Sequence, residues 1–317
     1  MPQRLQFIGT TTAGSGIMRI FPSWAEALGL DAEMQGVDLP LHAGEVAYRE
    51  AVSAIRSAPA VRGALVTSHK VDVYAAASDL FDEIDPHAKS TQEVSCIAKR
   101  DSRLIAFAKD PVVSRQTLDA MLGADYWHGA ARQVLCFGAG GAGSAITVAL
   151  HEASARPDRV IVTDVDPTRL KRLRSVHEAM SFGADVEYRE VSSVADSDAL
   201  LESLPGGSLV INATGLGKDA AGSPVSDAAV FPPGAVVWEL NYRGTLEFLG
   251  QAARQALLNE LILHDGWQYF LNAWKAVIAE VFQLTISPDL AARLSGLAEP
   301  LRPSTLAWTS KAKRDDR

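Results

Sequence analysis

Short apolar runs alternate with helically spaced apolar positions through the first third of the chain. The strand-like runs are Leu5–Gly9, Met34–Val37, Gly63–Thr67, Glu93–Lys99 and Arg103–Ala108. The helical patterns between them are Ile20–Leu28, Glu45–Ile55 and Val71–Leu80. Regular alternation of strands and helices predicts a layered α/β domain.

The middle third contains nearly continuous apolar runs, which are typical of parallel strands covered on both faces. They are Val134–Phe137, Val160–Thr163, Val186–Val191, Leu209–Asn212, Val236–Leu240 and Leu261–Leu263. Helical patterns at Ser144–Ala153 and Pro167–Ala179 separate the first three runs, and the chain from Gly266 is mainly helical. The order of strand, glycine turn, helix, strand and acid predicts a doubly wound dinucleotide-binding domain of the Rossmann type.

Three glycines form a G-x-G-x-x-G pattern between a predicted strand and a predicted helix, at Gly138, Gly140 and Gly143. In that context the first glycine allows a tight turn, the second lets backbone approach a pyrophosphate, and the third lets the helix pack closely. The helix N-terminus then offers N–H groups to the phosphates. We therefore predict a cofactor site at Gly138, Ala139, Gly140, Gly141, Ala142 and Gly143. The alternative is a glycine-rich loop without a ligand.

Asp164 ends the next predicted strand, where an acid commonly accepts hydrogen bonds from the adenosine ribose. A carboxylate at this position repels a 2′-phosphate, so we predict NAD as the cofactor. Arg169 and Lys171 lie close downstream and leave NADP as the alternative. A second interpretation of Asp164 is the N-cap of the following helix.

The charge balance and the spacing of polar residues exclude several function classes. The chain has 38 acidic and 30 basic residues, a net charge of −8, whereas non-specific nucleic-acid binding needs a basic surface. No apolar run approaches the roughly 20 residues that span a bilayer. No group of His, Cys, Asp and Glu has metal-ligand spacing. We expect no nucleic-acid partner, no membrane and no metal.

Cys96 and Cys136 lie in apolar runs and are predicted to be buried thiols in a cytoplasmic protein.

Several sequence blocks follow one another in an order that suggests a known family. They read IGTTTAGSGIM, ALVTSHK, EVSCI with LIAFAKD, FGAGGAG, VINATGLG, VWELNYRG and GWQYF. From Ile8 to about Phe282 the chain resembles the shikimate/quinate dehydrogenase family. The resemblance implies a dehydrogenase with an N-terminal α/β substrate domain and a Rossmann-type NAD(P)-binding domain.

The resemblance also implies that Lys70 and Asp110 form a catalytic acid–base pair. Oxidation of a secondary alcohol transfers a hydride to the nicotinamide and a proton to a base. A lysine serves as that base, and as the acid in reverse, if burial lowers its pKa towards neutrality. Without the resemblance, Lys70 reads as a solvated lysine at a helix start and Asp110 as an N-cap before Pro111.

Further site residues follow from the resemblance alone. Those implied to contact the cofactor are Asn212, Ala213, Thr214 and Gly266. Those implied to contact the substrate are Ser15, Thr67, Tyr242, Gln268 and Asn272. A packing tyrosine and a plain turn glycine are the alternatives for Tyr242 and Gly266.

The chain departs from the family pattern at positions that read the substrate. Ile17 replaces a loop serine, Ala108 and Lys109 replace an asparagine and a threonine, and Ala273 replaces a helix glutamine. Each unpaired buried polar group left by such losses costs about 1–3 kcal/mol, so shikimate binding is expected to weaken. Arg19 or Lys109 is a candidate to hold a substrate carboxylate.

We therefore predict that the substrate is a secondary alcohol or ketone of a small cyclic polyol or hydroxy acid. One alternative is a true shikimate or quinate dehydrogenase, and another is a non-catalytic NAD(P)-binding regulator. Residues 1–111 with the helices of 266–300 are expected to form the substrate domain, 128–265 the Rossmann domain, and 301–317 a flexible tail. The active cleft is expected between the domains, and a homodimer is a compatible assembly.

Overall fold

Two compact α/β units make up the protein. The structure, a computed structural model, describes residues 2–129, 131–182, 185–218 and 220–303. The first unit contains the chain up to Val113 together with Leu271–Arg302, and the second contains Ser114–Phe270. Each unit is built on its own six-stranded sheet in the described residues, which confirms the predicted α/β class. Beyond Pro303, the predicted tail lies outside the described residues.

The sheet of the first unit mixes parallel and antiparallel pairs. Its strands are β1 (Gln3–Gly9), β2 (Ala32–Asp38), β3 (Val61–Val66), β4 (Glu83–Ile84), β5 (Cys96–Arg100) and β6 (Arg103–Phe107). They lie in the order β2-β1-β3-β5-β6-β4. Strand β1 is parallel to β2 and β3, whereas β5 is antiparallel to both β3 and β6. Strands β1, β2, β3 and β6 therefore run in one direction, and their carboxyl ends share one edge of the sheet.

Helices cover both faces of this sheet. They are α1 (Ile17–Leu28), α2 (Glu45–Ser57), α3 (Lys70–Ala77), α4 (Pro86–Thr91), the start of α5 (Asp110–Leu122), most of α10 (Trp267–Phe282), and α11 (Pro288–Ala298). Successive residues of β1 point to opposite faces, as the period of a strand requires. Ile8 packs with Val52 and Ile55 of α2, while Phe7 meets Trp274 of α10 edge to face at 5.0 Å between ring centroids.

The sheet of the second unit is entirely parallel. Its strands are β7 (Val134–Phe137), β8 (Arg159–Asp164), β9 (Asp185–Glu190), β10 (Leu209–Asn212), β11 (Val236–Glu239) and β12 (Ile262–His264). They lie in the order β12-β11-β10-β7-β8-β9. This is the doubly wound order, in which the winding reverses between β7 and β10.

Apolar side chains fill both faces of the second sheet. The helices that cover it are α6 (Gly141–His151), α7 (Pro167–Ala179), α8 (Val194–Glu202) and α9 (Glu247–Ala253). Val134 and Cys136 of β7 pack with Ile146 of α6, while Leu135 and Phe137 face the opposite cluster that contains Phe248 of α9. Burial on both faces explains why these strands read as continuous apolar runs. Among the described residues, no helix combines the length and apolar character needed to cross a bilayer.

Several element boundaries differ from the sequence predictions. Strand β5 begins at Cys96 rather than at residue 93, so Glu93–Ser95 form a connection that precedes the strand. Helix α6 begins at Gly141 rather than at residue 144, so part of the glycine pattern is itself helical. Glycine has a weak helix propensity, and the sequence pattern therefore underestimates this helix.

A buried lysine ties β5 to the end of α2. Lys99 is 8% exposed, and its Nζ donates hydrogen bonds to the carbonyl oxygens of Ile55, Arg56 and Ala58 at 2.9, 3.1 and 2.6 Å. The last carbonyls of a helix lack partners within the helix and carry partial negative charge, so a cation is favoured there. Lys99 is thus a tertiary cap for α2.

Substitution of Lys99 by methionine is expected to destabilise the first unit. The apolar stem is preserved but the carbonyl oxygens lose a charged donor, which costs roughly 2–3 kcal/mol. Urea denaturation should show a lower midpoint for Lys99→Met, whereas Lys89→Met on the exposed side of α4 should unfold like the wild type. Equal midpoints for the two variants would contradict the capping role.

Candidate active site

Lys70 and Asp110 come together at the edge where β1, β2, β3 and β6 end. Lys70 is the first residue of α3, which follows β3, and Asp110 is the first residue of α5, which follows β6. The Lys70 Nζ donates a hydrogen bond to Asp110 Oδ2, and the two side chains are 19% and 9% exposed. Neither residue matches its alternative reading, since Lys70 is largely buried and Asp110 is bonded to it. The pair is a largely buried ion pair between two helix starts.

The pKa of Lys70 shifts in the direction opposite to the one expected from the sequence. Burial alone lowers the pKa of the ammonium, but the negative charges of Asp110 and Glu93, with the hydrogen bond to Asp110, outweigh it. The pKa of Lys70 is therefore raised above the ordinary lysine value rather than lowered towards neutrality. Glu93 is fully buried, and it was missed because the sequence pattern placed it inside a strand. The ammonium is thus the resident form of Lys70.

The turn that presents Lys70 is fixed by a buried histidine. Ser68 has a left-handed backbone with φ of 58°, and the His69 N–H donates to the Thr67 carbonyl oxygen at 2.5 Å. The His69 ring is buried between the Leu39 carbonyl oxygen, 3.1 Å from Nε2, and the Tyr48 hydroxyl, 3.1 Å from Nδ1. Because a carbonyl only accepts, Nε2 carries the proton. His69 therefore supports the turn, in keeping with its omission from the predicted catalytic set.

Two of the predicted substrate residues belong to the same edge of the first unit. Ser15 is buried and ends the short 3-10 turn that follows β1, and Thr67 follows β3. If Gly9 carried a Cβ, that atom would lie 2.9 Å from the Thr67 methyl group. The ends of β1 and β3 therefore approach each other closely. Thr12, in the same turn, donates its N–H to Asp38 Oδ1 at 2.8 Å. Hydrogen bonds from the Thr12 side chain and from its N–H lower the pKa of Asp38.

The other predicted substrate residues lie on α10 and in the second unit. Gln268 belongs to the second unit and Asn272 to the first, both on α10. Tyr242, in the second unit, stacks on Phe270 with ring centroids 4.1 Å apart and lies 5.6 Å from the Trp267 ring. The structure thus places Tyr242 in an aromatic cluster.

The two candidate cations for a substrate carboxylate already have partners. Lys109 Nζ lies 2.6 Å from Glu280 Oε2 and 4.4 Å from the centre of the Phe107 ring. Glu280 is shared with Arg100. Arg19 donates to the Leu301 carbonyl oxygen at 3.3 Å. Both cations are therefore engaged within the first unit.

In the second unit, the glycine turn joins β7 to α6 where the winding reverses. Gly138 has φ of 102°, and a Cβ there would lie 2.8 Å from the Ala213 backbone. A Cβ at Gly143 would lie 2.0 Å from the Gly138 carbonyl oxygen. These two positions require glycine for close backbone approach. Gly140 is the N-cap of α6, has no side chain to cap the helix, and faces open space.

This turn fits the phosphates of a dinucleotide. The remaining residues of the predicted site are Ala139, which precedes the cap, and Gly141 and Ala142, which begin α6. The first N–H groups of a helix have no partners within it and favour an anion. The open space at Gly140 lets a phosphate reach these N–H groups. The residues that would hold the pyrophosphate are therefore those of the glycine turn.

Asp164 is tied to the glycine turn rather than to a helix. It is buried, its Oδ2 accepts from the Ala139 N–H at 2.8 Å, and its Oδ1 accepts from the Asp166 N–H at 3.0 Å. The N-cap of α7 is Asp166, which accepts from the Thr168 N–H at 2.8 Å, so the capping alternative for Asp164 is wrong. Asp164 orders the turn from the end of the adjacent strand.

A buried carboxylate that the sequence analysis missed lies beside Asn212. The Asn212 Nδ2 donates to Glu239 Oε2 at 2.7 Å, and the Asn241 N–H donates to Glu239 Oε1 at 2.8 Å. Thr214 donates to Asn212 Oδ1 through both its N–H and its hydroxyl, at 3.1 and 2.7 Å. Burial raises the pKa of Glu239 to about 7. The one sequence signal for this network is an acid at the end of an apolar strand.

The same network includes the predicted cofactor residue Gly266. Its N–H donates to the Asn241 carbonyl oxygen at 3.1 Å, and a Cβ at Gly266 would lie 1.8 Å from the Leu240 carbonyl oxygen. Gly266 is therefore required for close packing on the end of β11. Asn212, Ala213, Thr214 and Gly266 all lie at the carboxyl ends of β10 and β11 or beside them.

The described residues contain no group of three or more His, Cys, Asp or Glu side chains that could hold a metal ion. Cys96 and Cys136 are buried free thiols. Burial raises the pKa of both thiols, which makes them poor nucleophiles.

Comparison with known sequences finds similarity to shikimate dehydrogenases. No model of a known protein family matches it. The chain is similar to a shikimate dehydrogenase (NADP(+)) of Citrifermentans bemidjiense, 26% identical over 68% of this chain and 69% of the relative. It is also 26% identical to a shikimate dehydrogenase (NADP(+)) of Methylobacterium radiotolerans, over 84% of this chain and 89% of the relative.

Comparison with solved structures identifies the same fold. A 5-ketofructose reductase of Gluconobacter matches with a TM-score of 0.69 and 21% identity, over 95% of this chain and 99% of the other. A quinate dehydrogenase from Corynebacterium glutamicum in complex with NAD matches with a TM-score of 0.72 and 17% identity, over 94% and 99%. A shikimate 5-dehydrogenase from Thermus thermophilus in complex with NADP(H) and shikimate matches with a TM-score of 0.67 and 23% identity, over 94% and 99%.

These similarities define the class of protein. The chain has the two-unit fold of the shikimate and quinate dehydrogenases, with a Rossmann-type second unit. Its sequence is distantly similar to those of shikimate dehydrogenases.

Titration of Glu239 is expected to make the stability of the protein depend on pH. Its folded-state pKa of about 7 lies above the ordinary glutamate value of 4.5, so its contribution to stability is complete below about pH 4.5 and is lost as pH rises towards 7. The free energy of unfolding of the wild type relative to Glu239→Gln should therefore fall by up to roughly 3 kcal/mol from pH 4.5 to pH 8. Urea denaturation across this range tests it, and the difference between the two proteins isolates Glu239 from other titrating groups. A difference that is constant with pH would contradict the raised pKa.

Proposed function

We propose that this protein is an NAD(P)-dependent dehydrogenase that interconverts a secondary alcohol and a ketone of a small polyol or hydroxy acid. The observation that carries the proposal is the bonded pair Lys70–Asp110 in the first unit, together with the glycine turn in the second. The sequence similarity to curated shikimate dehydrogenases supports the reaction class. The likeness to a 5-ketofructose reductase is consistent with polyol chemistry.

The acid–base role falls to Lys70, with Asp110 as the group that orients it. A bound nicotinamide ring would supply the hydride or accept it. In ketone reduction, the Lys70 ammonium donates its proton to the oxygen that gains negative charge as the carbonyl carbon takes up hydride. Because the pKa of Lys70 is raised, the ammonium is present at neutral pH and the pair is prepared for this direction. In alcohol oxidation the coupled pair takes the hydroxyl proton back.

Removal of the Lys70 amine is expected to abolish turnover while leaving the dinucleotide bound. General acid–base catalysis contributes about 10²–10⁴-fold, so Lys70→Ala should lose kcat by that factor. Reduced-nicotinamide absorbance measures turnover on a panel of cyclic and linear polyols, and calorimetry measures dinucleotide binding.

The matched control is Lys89→Ala, an exposed lysine of α4 in the same unit, which should keep full turnover. Undiminished turnover of Lys70→Ala would overturn the assignment. A wild type that binds the dinucleotide but takes no hydride from any of the alcohols would favour the regulator instead.

For the cofactor, we propose NAD in preference to NADP. The end of β8 presents the carboxylates of Asp164 and Asp166, and the nearest cation, Arg169, lies 3.9 and 3.8 Å from them. A 2′-phosphate would therefore meet negative charge, and Arg169 is occupied with both acids. The curated relatives carry NADP(+) in their names, while the quinate dehydrogenase structure holds NAD. The preference thus rests on this chain's own residues.

Asp166→Ser is expected to shift the cofactor preference towards NADP. Serine keeps the N-cap of α7 but removes the exposed negative charge, so stability should be preserved. The ratio of kcat/KM for NADP to that for NAD should rise about tenfold, since loss of one charge near the phosphate removes a repulsion of roughly 1 kcal/mol or more. Steady-state kinetics with both cofactors measure it. A wild type that already prefers NADP would refute the proposal.

We also place the protein in the cytoplasm, which the two buried free thiols support because cytosolic thiols stay reduced. A homodimer stays a prediction.

A further inference from the structure

Two buried carboxylates act on Lys70 rather than one. Asp110 is bonded to its Nζ, and Glu93 acts on the ammonium as a second negative charge. Glu93 is fully buried in the connection before β5, next to Val94, whose N–H donates to the Lys70 carbonyl oxygen at 3.0 Å. The backbone therefore places Glu93 beside the start of α3. Two acidic side chains thus accompany one basic side chain at this place.

The neighbouring strand ends add further negative charge to the same edge. Asp38 ends β2 and holds the Thr12 N–H at 2.8 Å. Asp85 follows β4 and accepts from the Ala108 N–H at 3.2 Å, two residues before Asp110. The cation on the same segment, Lys109, lies 2.6 Å from Glu280, which also pairs with Arg100. Among these described groups, the carboxylates of the edge outnumber its cations.

A substrate carboxylate would meet a net negative field at this edge. Charges in a partly buried site interact more strongly than in water, because fewer solvent dipoles screen them. An uncharged substrate meets no such repulsion, and the carboxylates still accept hydrogen bonds from its hydroxyl groups. The charge arrangement therefore separates neutral from anionic substrates.

We propose that Glu93 is a specificity-determining residue, and that the substrate of the Lys70–Asp110 pair is an uncharged polyol or its ketone rather than a carboxylate-bearing alcohol. This inference rests on the proposed dehydrogenase function. It narrows the predicted substrate class from a polyol or hydroxy acid to a polyol alone. The likeness to a 5-ketofructose reductase agrees with it.

The first test uses wild-type protein and two compounds that differ in one charge. Shikimate and its methyl ester share the same ring hydroxyls, and so do quinate and its methyl ester. We expect kcat/KM for each ester to exceed that for its acid by at least about tenfold, and myo-inositol to be oxidised better than quinate. Turnover of the acids at rates equal to or above those of the esters would overturn the inference while leaving the proposed dehydrogenase intact.

The second test uses Glu93→Gln, which keeps the size of the side chain and removes its charge. The preference for ester over acid should fall at least about fivefold, because one repulsive charge is lost. A purely structural role would lower kcat/KM for both compounds alike and leave their ratio unchanged. The matched control is Glu50→Gln on the exposed side of α2, which should keep the wild-type ratio.

The outcomes separate the two proposals. A wild-type preference for the ester that survives unchanged in Glu93→Gln would overturn the role of Glu93. If Glu93→Gln fails to fold, the comparison of ester with acid in the wild type still decides the charge class. Binding of NAD or NADP without hydride transfer from any compound, including myo-inositol, would overturn the dehydrogenase function and this inference with it.

Discussion

A largely buried ammonium that two carboxylates keep charged is the constraint on which the first unit depends. Desolvation opposes the charged form of Lys70, and Asp110 and Glu93 restore it. That balance needs three residues from distant parts of the chain at one place. The sheet provides it, because β3 and β6 run in the same direction while β5 runs against them. Their connections therefore deliver Lys70, Asp110 and Glu93 to a single edge.

The second unit depends on close backbone approach instead of charge. Glycine is required at Gly138, Gly143 and Gly266 because a Cβ at each would meet a backbone atom at 2.8 Å or less. Two acids then hold in place the strand ends that make these close backbone contacts. Asp164 holds the glycine turn through the Ala139 N–H, and Glu239 holds Asn212. The proposed cofactor contacts are thus backbone positions ordered by buried carboxylates on neighbouring strands.

Local pattern was sufficient to predict the strands of the second sheet and the glycine turn, because burial on both faces leaves continuous apolar runs. It failed for β4 and α4, which are short, and for α8, where capping by Ser193 and Asp196 defines the helix more than apolar spacing does. The predicted direction of the Lys70 pKa was wrong, because the charges of Asp110 and Glu93 together outweigh burial. The partners of Asp164 and Glu239 also come from neighbouring strands, which no sequence spacing reveals.

Gly140 leaves the amino end of α6 without a side-chain cap and open to a ligand. An anion that binds there stabilises only the folded protein. The free energy of unfolding therefore increases with the logarithm of the ligand concentration. Melting curves with a library of nucleotides would therefore rank candidate cofactors without knowledge of the second reactant. Because the start of α6 has no side-chain cap, the thermal stability of the protein itself reports which ligand binds there.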